Sequence, residues 1–257
     1  MEKFIMRKKA LCAMAHPDDC EFTCAGTLAL LNQRGWEIII ATLTAGDCGS
    51  KRLNKIKISK IRKKEAIDSA KILDGNYFCL DEEDVFILYQ KETLLKTIKL
   101  IRKVRPTIVF APSPSDYMID HEITSKLIQT ACFAAGMPNI KTKDIEPFNT
   151  MPYLYYADPL EGIDKMGIPI EPSFVVNIDS TMEIKEKMLC CHESQRSWLK
   201  EYHKIDEYVL KMKQFARSRG ELINCRYGEG FRMHLGHATP KENILKGVLT
   251  DFVHELD

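Results

Sequence analysis

An α/β fold with a Rossmann-like, mainly parallel sheet and helices on both faces is predicted by two features of the sequence. Apolar runs of strand length alternate with longer segments of helical period, and the runs are near-continuously apolar, as strands covered on both faces must be. Strand-like runs occupy residues 9–15, 37–43, 76–80 and 107–111, and helical segments occupy 22–34, 56–73 and 92–104. Gly35, Gly75 and Pro106 stand as stop signals after the helices. The order is βαβαβαβ, the signature of a doubly wound sheet.

The C-terminal part reads differently. Residues 151–158 and 173–179 look like two further strands, 182–193 and 195–219 like helices, and 227–237 like a glycine-rich polar loop. We read residues 1–257 as a single domain, with 1–145 forming the Rossmann-like metal-binding part and 146–257 an extension that completes the pocket.

Composition narrows the function classes. Lys+Arg number 37 against Asp+Glu 36, a net charge of +1, so no overall field draws the chain to nucleic acid or anionic membrane. Eight Lys/Arg residues fall within 51–64, but without aromatic interleaving they read as a solvated helix face. No apolar run approaches the ~18 residues of a membrane span, and the first ten residues do not lead into the apolar segment of a secretory signal. Nine cysteines form no CxxC pair and are odd in number, so they read mostly as buried free thiols in a reduced, cytoplasmic protein.

In a parallel sheet the ligand site lies beyond the carboxyl ends of the strands. There the sequence places His16-Pro17-Asp18-Asp19 after the first strand, Thr44 to Ser50 after the second and Pro112 to His121 after the fourth. The acidic run Asp81 to Asp84 after the third reads as a solvated turn. His16, Asp19 and His121 supply two imidazoles and a carboxylate, an open three-ligand set of the kind used by catalytic zinc. Asp18 is then left over as a general base. The same ligands suit iron(II), and the two aspartates also suit a helix start, so residue types alone leave these alternatives open.

The segments AHPDDCEFTCAGTLALLNQRG, TAGDCGS and DYMIDH, in that order, resemble the PIG-L/LmbE-like family of zinc-dependent N-deacetylases; a weaker similarity continues into the late HxSQ element at His192 to Gln195. The resemblance implies His16, Asp19 and His121 as ligands of one Zn2+, or another divalent transition metal, Asp18 as general base, and Asp120 as support for the acid-base machinery. It implies hydrolysis of an acetylated amino sugar or its conjugate; with the charge balance and hydropathy above, the expected partner is that small molecule, with no nucleic acid, no membrane span and a homo-oligomer left open. Arg62 and Glu65 are similar to the family's RxxE element.

Two departures stand out. Cys20 separates the paired aspartates from Glu21, where many members place glutamate directly after the pair, and Met118 stands where many relatives have a helper histidine for the oxyanion. Methionine has no proton to donate. The expected substrate-facing residues are Asp47, Arg62, Arg232 and His234. His234 and His237 as a second metal pair would lack a third ligand at suitable spacing. Two non-enzymatic alternatives remain: a metal-binding protein without deacetylase activity, and a sugar-binding component of a polysaccharide pathway. A spare base at Asp18 argues against both.

Overall fold

The computed structural model describes residues 8–143, 145–203 and 207–256. Strands β1 (Lys9–Met14), β2 (Glu37–Thr44), β3 (Asn76–Glu82), β4 (Ile108–Ala111) and β5 (Tyr153–Ala157) are parallel, in the order β3-β2-β1-β4-β5. β6 (Phe174–Asn177), β7 (Gly228–Met233) and β8 (Val253–Glu255) extend the sheet antiparallel, so the full order is β3-β2-β1-β4-β5-β7-β6-β8. The mainly parallel α/β architecture is the one expected.

Alternation along β1 feeds two cores. Ala10, Cys12 and Met14 join a cluster with Leu28, Leu31 and Met188 on one face, while Leu11 and Ala13 meet Ile101, Val109 and Ile128 on the other. Helices α2 (Ala25–Gln33), α3 (Lys55–Lys71) and α6 (Met182–Cys190) carry the first face; α4 (Lys91–Val104) and α5 (Ile119–Ala134) carry the second. β1 is hydrogen-bonded to β2 on one side and β4 on the other, so chain order reverses between β1 and β4. That reversal opens a crevice at their carboxyl ends, where the loops after β1 and β4 meet.

Several expected elements differ. The helix expected over 22–34 is two, α1 (Asp19–Thr23) and α2, broken at Cys24. The cause is tertiary: the Glu229 carboxylate, on β7, accepts from the backbone nitrogens of Gly26 and Thr27 at 2.9 and 2.7 Å and so caps a new helix start. Gly26 must lack a side chain, because a Cβ there would lie 2.8 Å from Ile178. The helix expected over 195–219 is instead α7 (Glu193–His203) and α8 (Tyr208–Glu221), with residues 204–206 outside the described residues.

The expected loop at 227–237 is largely strand β7, inserted between β5 and β6. Its glycines mark close packing: a Cβ on Gly228 would press on Val175 and the backbone of α8, and one on Gly230 would strike the Asp158 carboxylate. β8 and the short helix α9 (Ile244–Leu249) carried no signal distinct enough to be expected.

Candidate active site

Three atoms define the centre of the crevice. His16 Nδ1 lies 3.4 Å from Asp19 Oδ2, His121 Nε2 lies 3.5 Å from the same oxygen, and the two imidazole nitrogens are 3.3 Å apart. Ligands about 2.0–2.1 Å from a tetrahedral ion stand roughly 3.3–3.4 Å from one another, so this donor set fits a divalent metal. The remaining nitrogen of each imidazole meets a carboxylate. His16 Nε2 is 3.3 Å from Asp120 Oδ2 and 3.2 Å from Asp84 Oδ1, and His121 Nδ1 is 2.9 Å from Asp116 Oδ1. With those nitrogens donating, Nδ1 of His16 and Nε2 of His121 keep their lone pairs for a cation.

Local structure places each group. The His16 backbone nitrogen donates to Asp19 Oδ2 at 2.8 Å, folding the loop after β1 back on itself. Asp116 also accepts from the Met118 nitrogen at 3.1 Å, setting the turn that starts α5, and Asp120 accepts from Val85 at 2.8 Å. Val85 holds φ 72°, an uncommon conformation for a β-branched residue. Burial opposes charging of His121, but Asp19 and Asp116 outweigh it and raise the imidazole to about 10. Burial likewise opposes ionisation of Asp19, yet His121 and His16 hold it well below the usual carboxylate range. Such strong coupling of two imidazoles to surrounding carboxylates suits a site built around positive charge.

Asp18 stands beside this cluster without belonging to it. Its φ of 100° lies in the left-handed region, and its side chain is buried. Tyr208 Oη donates to Asp18 Oδ2 at 2.5 Å, and Arg62 Nη2 lies 3.7 Å from Oδ1. Burial pushes the Asp18 carboxyl up to about 6, against the lowering pull of Arg62. His192 is buried nearby, its Nε2 3.1 Å from Glu21 Oε1, and Glu21 also accepts from Ser69.

The expected substrate-facing residues separate. Arg62 is buried in the wall of a cavity of about 380 Å³ that also contains His16, Asp18, Asp19 and His121. It donates to the carbonyls of Gly46 and Pro17 at 3.1 and 3.0 Å, while its Nε has no partner among the described residues. Asp47 does not line this cavity; its Oδ1 accepts from the Asp84 nitrogen at 2.8 Å. Arg232 donates to Ser113 Oγ at 2.7 Å, and His234 Nδ1 is 3.0 Å from Tyr156 Oη; neither lines that cavity. Arg232 lies in β7, an interior strand, and His234 follows directly after it, where a surface loop was expected.

Other residues reach the site unannounced. The acidic run Asp81 to Asp84 is not wholly a solvated turn: Asp81 and Glu82 end β3, and Asp84 is buried against His16. Tyr208 carried no distinguishing motif, and Asp116 stood first in DYMIDH without an assigned role; Gln195, flagged only through the HxSQ similarity, lines the cavity with Oε1 unpartnered among the described residues. Glu65 accepts from the nitrogen and hydroxyl of Ser194 at 2.9 and 2.5 Å, so it caps α7. Cys20 is buried in the core, whereas Cys48 and Cys190 are exposed. No metal-ligand group among the described residues includes His234 or His237.

A doubly wound sheet with a two-histidine, one-carboxylate cluster at its switch point defines the class of protein. Residues 11–132 match the family described as PIG-L, GlcNAc-PI de-N-acetylase. It is 29% identical over 255 residues to a diacetylchitobiose deacetylase of Thermococcus kodakarensis, covering 95% of this chain and 91% of the relative. The solved N,N'-diacetylchitobiose deacetylase of Pyrococcus horikoshii superposes with a TM-score of 0.75 at 29% identity, covering 91% of this chain and 87% of that one. A 4-oxalmesaconate hydratase of Pseudomonas putida is 28% identical over 143 residues, 52% of this chain and 55% of the relative. Among the described residues no helix is long and apolar enough to cross a membrane.

Proposed function

We propose that this chain is a metal-dependent N-deacetylase that hydrolyses the acetamide of an N-acetylated amino sugar or its conjugate. An N-deacetylase hydrolase is the enzyme class that the named deacetylases support. The observation that carries the mechanistic reading is the union, in one cavity, of three ligating atoms 3.3–3.5 Å apart with a fourth group, Asp18, that is not needed as a ligand.

His16, Asp19 and His121 would hold the ion, zinc being the reading best suited to this donor set. When bound, such an ion acidifies a water and polarises an acyl carbonyl. Asp18 takes the proton of the attacking water. Its raised pKa keeps it basic enough to accept and acidic enough to return that proton to the departing nitrogen. The carbon–nitrogen bond is replaced by a carbon–oxygen bond, and acetate and a free amine leave. Asp120 orients His16 and is a positioning residue. Arg62 and Gln195 line the cavity and are the polar side chains that would meet substrate hydroxyls. Beside Met118, Tyr117 lines the cavity edge-on to His121, and its phenol, protonated near neutral pH as any tyrosine is, would be the donor to the developing oxyanion.

Replacing Asp18 by asparagine tests the assignment. The variant is expected to retain metal and lose about 10²- to 10⁴-fold in acetate release; full activity would remove Asp18 from its role. Hydration of an unsaturated acid with no acetate release from any amide would favour the chemistry of the hydratase relative.

A further inference from the structure

The cavity around the metal-ligand cluster does not end there. A groove of about 610 Å³ continues from it, and Phe22, Tyr117, Leu160, Leu199 and Tyr208 line both spaces. Ile163 and Phe215 line only the groove. Its walls come from α1, the loop after β4, the turn after β5 and the facing sides of α7 and α8. Phe22 meets the Tyr208 ring edge-on at 5.2 Å between centroids, and the Tyr208 hydroxyl is turned inward to Asp18, which leaves its ring to the groove.

This wall is poorly suited to a second polar sugar. A sugar unit needs several donors and acceptors arranged over its edge, and a buried polar group left unpaired costs more than an apolar contact returns. Of the polar side chains at the groove, Glu161, Lys211, Gln214 and Ser218 are exposed, and the half-buried Asp164 accepts from the nitrogens of Met166 and Ile168 at 2.8 and 2.9 Å. A solvated apolar groove of this size, continuous with a reaction centre, is matched by an apolar extension of the reacting molecule.

We propose that the substrate carries an apolar substituent, alkyl or aryl, that lies along Phe22, Leu160, Leu199 and Phe215 while its acetamide reaches the ligand cluster. This inference rests on the deacetylase reading and adds the chemical class of the substrate's other end. Recognition of the substituent is shape-tolerant and hydrophobic, so it acts on KM more than on kcat.

The test compares acetate release by the metal-loaded protein from N-acetylglucosamine, N,N'-diacetylchitobiose, and the hexyl and phenyl glycosides of N-acetylglucosamine. The apolar glycosides are expected to exceed both sugars in kcat/KM by at least about tenfold, chiefly through KM. Phe215→Ser and Ile163→Ser should abolish that preference by raising KM for the two glycosides to that for N-acetylglucosamine. A chitobiose rate equal to or above the glycoside rates, or a preference that survives both variants, overturns the groove assignment. Hexyl glucoside, which has no amide, separates the two readings by calorimetry. Binding weakened by Phe215→Ser, with no acetate released from any substrate, would sustain the groove and remove the deacetylase; acetate release without hexyl glucoside binding would do the reverse.

Discussion

Tyr208 Oη donates to Asp18 Oδ2 at 2.5 Å, joining a residue of α8 to the loop after β1. The C-terminal part thus supplies a direct partner to the candidate base. A hydrogen bond to a carboxylate favours its charged form, so Tyr208→Phe should raise the pKa of Asp18. The acidic limb of the kcat/KM profile is then expected to move to higher pH, with kcat/KM near neutrality reduced about tenfold and metal content unchanged. A profile that keeps its shape and position would show that the bond plays no part in proton transfer.

Asp116 and Asp120 hold the outward nitrogens of His121 and His16. Neither side chain faces the substrate cavity as a ligand, yet each fixes which nitrogen carries the proton. Asp116→Asn and Asp120→Asn should each weaken metal binding about 10- to 100-fold, measured by competition with a chromogenic chelator. Unaltered affinity in both would mean that the imidazoles are oriented by packing alone.

The pair Lys185 and Glu229 is fully buried, with Nζ 2.5 Å from Oε1, and Lys185 also donates to the Phe22 carbonyl at 2.8 Å. Through Glu229 it links β7 to the start of α2, and through Phe22 to α1. Lys185→Met leaves a buried carboxylate without its cation and is expected to cost about 3–5 kcal/mol in urea unfolding. A loss below about 1 kcal/mol would show that the remaining donors to Glu229, the nitrogens of Gly26 and Thr27 and the Thr27 hydroxyl, suffice.

Glu21 and His192 set a pH window for stability. Burial works against both charged forms, but their mutual attraction lowers Glu21 from 4.5 and raises His192 from 6.5. The Glu21 contribution is present above its unfolded value and lost as pH falls through the lowered folded one. The His192 contribution is present below its unfolded value and lost as pH rises through the raised folded one. The stability difference between wild type and His192→Gln should therefore be largest between about pH 4.5 and 6.5 and shrink on either side. A difference independent of pH would assign His192 to packing only.

Much of the architecture was legible because β1, β2 and β4 are short, apolar and buried on both faces, which the residue pattern reports directly. The ligand cluster was legible because His16 and Asp19 follow one such strand and His121 follows another, and the reversal between β1 and β4 brings those ends together. β7 was not legible: its glycines answer to Val175, α8 and Asp158, all distant in sequence, and locally they imitate a loop. The same misreading carried Arg232 and His234 toward the substrate. Asp84 was hidden for the opposite reason, since an acidic run is ordinarily solvated and only its tertiary contact with His16 gives one member a role. Tyr208 lies in a helix with no motif, so nothing short of the fold could connect it with Asp18.

The most direct test of the central claim is metal content measured together with acetate release, for the protein as purified, after chelation and after reconstitution. The expected result is one divalent ion per chain, loss of acetate release when the ion is removed, recovery when it is returned, and failure to bind it in His16→Ala and His121→Ala. Undiminished acetate release from the chelated protein, or full metal content in both variants, would contradict it.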